Sequence, residues 1–166
     1  MRDVFAGIVA VVLLLAAASL ATTLKAYRRR LQGARDSEQA RGRRIIAELP
    51  TATDLVLVSD DDARLYYGDR SIEKQSIAAV RVLINGAPIA ACVSIRHASA
   101  NVVQPTSFED RPEGIARDRW DVAVELVDDM VLIECGAIRE RVSQELARTI
   151  FEAVKADIET RDRHAR

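Results

Sequence analysis

Histidine, cysteine and aromatic residues are scarce in this chain, and each shortage removes a class of function. There are two histidines, His97 and His164, and no Cys or carboxylate cluster surrounds either with metal-ligand spacing, so no metal site is read. The two cysteines, Cys92 and Cys135, lie far apart in apolar stretches. They read as small reduced hydrophobes and not as a disulfide or a nucleophile. Glycine numbers only seven, and no pair forms a G-x-G group, which excludes a phosphate-cradling loop and any cofactor-binding motif. The acidic turns Asp60-Asp61-Asp62 and Asp128-Asp129 lack the Gly and distal Glu of a calcium loop and read as solvated turns. No nucleophile elbow, internal repeat or low-complexity tract is present, and no catalytic residue is assigned.

What the chain does have is a long uncharged run. Val4 to Leu24 contains only apolar or small residues and is followed by Lys25, Arg28, Arg29 and Arg30. Its length matches the roughly 20 residues a helix needs to cross a bilayer. The expectation is a transmembrane anchor over 1–24 in the inner membrane. The positive-inside bias places the N-terminus outside and the following domain in the cytoplasm. A cleaved signal peptide fits less well, because the run exceeds a normal h-region and lacks a basic n-region. Ala10, Ala17 and Ala21 are small residues on this helix and are the expected contacts with a partner helix.

The formal net charge of −1 conceals a division. Between Lys25 and Arg44, eight basic residues face only Asp36 and Glu38, whereas the remainder is acidic overall. A basic neck beside a membrane attracts anionic lipid headgroups, so Lys25, Arg28, Arg29 and Arg30 are the expected lipid contacts. Aromatic interleaving is confined to Tyr27, and nucleic acid is not expected as a partner. Residues 25–50 read as a helical extension that becomes a bent linker, interrupted by Gly33 and Gly42 and ending near Pro50.

Residues 51–162 change to short strand-like runs. Leu55 to Val58 and Arg64 to Tyr67 are closed by acidic and glycine turns. Ile77 to Ile84 and Ile89 to Arg96 alternate on either side of Asn85-Gly86, a strong type I′ hairpin signal. Asp121 to Val127 and Met130 to Cys135 form a second hairpin after a loop from Gln104 to Arg119. Val142, Leu146, Ile150, Val154 and Ile158 then fall four apart and predict an amphipathic helix, with 163–166 as a tail. The expected fold is α+β: one transmembrane helix, then a mostly antiparallel sheet or barrel of six or seven strands capped by the C-terminal helix.

The order of strand, turn, Leu65-Tyr66-Tyr67-Gly68-Asp69, Ile72 and Ile77-Ala78-Ala79-Val80, with a final hairpin running into Ile138 to Ile158, resembles a bacterial pleckstrin-homology-like domain. The resemblance implies a binding role for protein or lipid and no enzymatic one. Two functions are consistent with these readings. The first is a non-catalytic accessory subunit of a larger membrane complex of respiratory or photosynthetic type, contacting other membrane-protein subunits. Phe108, Arg111 and Trp120 are its expected protein contacts, since aromatics and arginine dominate interface hot spots. The second is a tethered binding module that recruits a soluble protein or anionic lipid.

Overall fold

The computed structural model describes residues 2–51, 55–97 and 118–164, without the side chains of 2–12, 24, 26, 27 and 97. The chain divides into two units, Met1–Arg41 and Gly42–Arg166.

The first unit is one helix, α1, spanning Arg2–Ala40. It continues well beyond Leu24, because Ala, Arg, Gln and Glu dominate residues 25–40 and all favour helix. Gly42 sits at φ 75°, where glycine carries no Cβ penalty, just beyond its end. Among the described residues, no helix is long and apolar enough to cross a membrane. This overturns the expected single-pass membrane anchor.

The second unit contains two four-stranded antiparallel sheets, not the single sheet of six or seven strands expected. β1 (Arg44–Pro50), β2 (Leu55–Asp60), β3 (Arg64–Tyr67) and β4 (Arg70–Glu73) form the first as a simple meander. β5 (Ile77–Ile84), β6 (Ala87–Val93), β7 (Arg119–Leu126) and β8 (Met130–Ala137) form the second, in the order β6-β5-β7-β8. Two strands account for the larger count. β1 occupies residues expected to be linker: Ala47 and Leu49 point inward, and a bulge after Ile45 shifts its register against β2. β4 has only Ile72 to bury and pairs as the return arm of the Gly68-Asp69 turn.

The Asn85-Gly86 hairpin forms as its composition requires, with φ of 51° and 76° and Ile84 opposite Ala87. β5 lies between β6 and β7 and is antiparallel to both, so β6 and β7 run parallel to each other.

α2 (Arg141–Arg163) packs against β1 of the first sheet and against all four strands of the second. Ile150, Val154 and Ile158 are fully buried, as are Val58 and Leu65 of the first sheet and Val80, Val122 and Ile133 of the second. One hydrophobic cluster therefore holds both sheets and the helix. Each such side chain contributes roughly 1.5–3 kcal/mol on full burial.

Candidate functional site

Three features of the described residues carry chemistry beyond packing: an uncovered stretch of α1, an ion network inside the second unit, and a groove beside β6.

On α1, Leu13, Leu14, Leu15 and Leu20 are 64%, 70%, 66% and 64% exposed. Successive helical residues are separated by about 100°, so three consecutive leucines occupy most of the circumference. Ala17 and Ala21, expected at a partner helix, are exposed on the same segment. Thr22 and Thr23 return their hydroxyls to the carbonyls of Ser19 and Leu20, at 2.8 and 2.9 Å, which hides two polar groups within the helix. Lys25, Arg28, Arg29 and Arg30 are exposed one or two turns further on. The side chain of Ala10 lies outside the described residues.

The ion network joins the first sheet, and the turn that leads from it to the second, to α2. Lys74, in a 3-10 turn at Lys74–Ser76 between β4 and β5, is buried. Its Nζ lies 2.8 Å from Asp60 Oδ2 and 2.7 Å from Asp157 Oδ2. Arg44 donates from Nε and Nη2 to the two Asp60 oxygens, at 3.0 and 2.9 Å. Burial pushes the Asp60 carboxyl up, but the bonds and charges of Arg44 and Lys74 outweigh it and hold it below its ordinary value. Burial likewise pushes the Lys74 ammonium down, and Asp157 and Asp60 more than restore it. A site with both carboxylates already matched by cations is a structural clasp. Asp60 is therefore not the solvated turn residue expected of Asp60-Asp61-Asp62. Asp61 alone makes the turn, accepting from the amides of Ala63 and Arg64 and from the Tyr66 hydroxyl.

The groove lies between β6 and the last turns of α2. It measures about 520 Å³ and is lined by Cys92, Val93, Ile95, Ile158, Glu159, Asp162 and Arg163. The Asp162 carboxylate accepts from the Ser94 hydroxyl and the Ile95 amide, both at 2.8 Å. Burial pushes its carboxyl up and these two donors pull it below the ordinary range. Cys92 and Ala90 face the core from β6, while Ile89, Val93 and Ile95 remain 55%, 42% and 58% exposed.

Neither thiol is activated. Burial pushes Cys135 up to about 12, and burial followed by the Glu159 charge pushes Cys92 up as well. His97 ends a 3-10 turn at Ile95–His97, and the His164 ring nitrogen is occupied by the Thr160 carbonyl at 2.7 Å. Trp120 is half-buried against the core on β7, opposite Ile84 and Gly136. Phe108 and Arg111, the other two expected protein contacts, lie outside the described residues. Sequence reasoning missed Arg44, Lys74 and Asp157 altogether, since no spacing links them. Asp162 did carry a signal: it follows Val154 and Ile158 at the same four-residue interval. No family model, curated protein or solved structure matches this chain, and nothing among the comparisons identifies a pleckstrin-homology-like domain.

Proposed function

We propose that this chain is a non-catalytic accessory subunit of a larger assembly, held there by α1 packing among apolar helices of partner subunits. The exposure of Leu13, Leu14, Leu15 and Leu20 carries this reading. A helix that is apolar on every side requires an apolar surrounding, and each of these leucines gains roughly 1.5–3 kcal/mol when fully covered. Ala17 and Ala21 let a neighbouring helix approach closely. The raised thiols and internally matched ions of the second unit support a binding role over catalysis.

The test places a photo-crosslinking side chain at Leu14 and, separately, at Ala17 of the full-length chain in its native cell. Extraction in mild detergent and native-size separation then follow. The expected result is a stoichiometric adduct with a partner protein's apolar helix that co-migrates at high mass. Crosslinks to lipid alone, with migration as a single chain, overturn the reading.

A further inference from the structure

We propose that β6 is a docking edge, at which an extended apolar segment of a partner protein carrying one Lys or Arg adds as a fifth strand to the second sheet. This stands on the second unit alone and goes beyond the role assigned to α1.

The backbone supplies the first argument. The Ser94 amide donates to the Ala78 carbonyl at 2.8 Å, and Cys92 and Ala90 lie opposite Val80 and Val82. In an antiparallel ladder, alternate residues point their polar groups toward the partner strand. The amides and carbonyls of Ala91 and Val93 therefore point away from β5, toward the side of β6 on which no described strand pairs. The next outward amide, that of Ile95, is already taken by Asp162 Oδ2, where the carbonyl of an added strand would sit. Edge strands normally carry protection in the form of charge, bulges or covering elements. β6 reads Ala-Pro-Ile-Ala-Ala-Cys-Val, without a charge, and its proline and its bulge lie at the far end.

The side chains supply the second. A strand laid along β6 alternates its residues between two faces. One set covers the exposed Ile89 and Val93, and the other enters the 520 Å³ groove over Cys92 and Ile158.

Charge selects the occupant. Among the described residues the Glu159 carboxylate at the groove has no ion-pair partner, whereas Asp162 is held by its two donors. The groove's lining carries Glu159 and Asp162 against Arg163 alone, and Arg163 donates from Nε and Nη2 to the Glu159 carbonyl and the Thr160 hydroxyl. A cationic side chain on the incoming strand complements Glu159; an acidic one is repelled.

The test uses the full-length chain in mild detergent and three synthetic heptapeptides of alternating Val and Thr. One has a central Lys, one a central Glu, and one a central Lys with N-methyl groups on the amides that would face β6. The Lys peptide is expected to bind about tenfold more tightly than the Glu peptide and to protect the Ala91 and Val93 amides from hydrogen exchange. Its N-methylated form is expected not to bind. Glu159→Gln should bring the Lys and Glu peptides to within about threefold of each other. Ala91→Pro, which removes only an outward donor, should abolish binding. The proposal is overturned if the Lys peptide fails to bind at millimolar concentration, or if N-methylation makes no difference. Protection of both amides without peptide also overturns it: the edge is then covered by the chain itself, or by a second copy if protection rises with concentration.

Discussion

Lys74 shows how one buried cation can join elements that are distant in sequence. It touches Asp60 of β2 and Asp157 of α2 from the turn that links β4 to β5. Removing one member of a buried ion pair leaves the other charge uncompensated, a cost of roughly 3–5 kcal/mol. Arg44 still holds Asp60 and Asp157 is partly exposed, so Lys74→Met should cost about 3 kcal/mol, at the low end of that range. Urea titration at neutral pH measures this. The pH dependence follows from the two shifts. The lowered Asp60 carboxyl contributes stability above its ordinary value of 3.8, and that contribution is lost as the pH falls through its depressed value. The raised Lys74 ammonium contributes below its ordinary value of 10.5 and loses this as the pH rises beyond it. The difference between the wild-type chain and Lys74→Met is therefore expected to be widest between these limits and to shrink at either extreme.

At the scale of elements, the junction of β8 with α2 is tight. Gly136 has a φ of 117°, and a Cβ there would lie 2.5 Å from the Ser143 hydroxyl in the first turn of the helix. Gly136→Ala is expected to lower stability by about 1–3 kcal/mol, part through backbone strain and part through the clash. Thermal unfolding of Gly136→Ala alone and with Ser143→Ala checks this, since the second change relieves only the clash. What could be read from sequence followed the same local logic. Asn85-Gly86 and the four-residue stripe of α2 are local signals, and both elements formed where they pointed. β1 was hidden because Glu48 and Pro50 interrupt its apolar residues and its bulge breaks the alternation. β4 was hidden because Ile72 alone marks its inward face. The ion network was not legible, because Arg44, Asp60, Lys74 and Asp157 come from two strands, a turn and α2 and meet only in the folded domain. The β6 edge became visible only through register. Pairing with Val80 and Val82 turns Cys92 and Ala90 inward and leaves the larger apolar residues outside.

For the whole molecule, the proposed role assigns the two units separate duties, and mutations should separate them. Replacing Leu13, Leu14 and Leu15 by Ser is expected to abolish co-migration with partner subunits while leaving urea unfolding of the second unit unchanged. Native-size separation and tryptophan fluorescence, reporting from Trp120 on β7, read the two effects independently. The order of elements has a further consequence, for biosynthesis. α2 follows every strand along the chain, yet it contributes Ile150, Val154 and Ile158 to the core shared by both sheets. While the polypeptide is being translated, the inner faces of the sheets have no lid. At roughly 5–20 residues per second, the 23 residues of α2 take about 1–5 s to synthesise. During that interval the nascent domain leaves uncovered the valines and isoleucines that will become its interior.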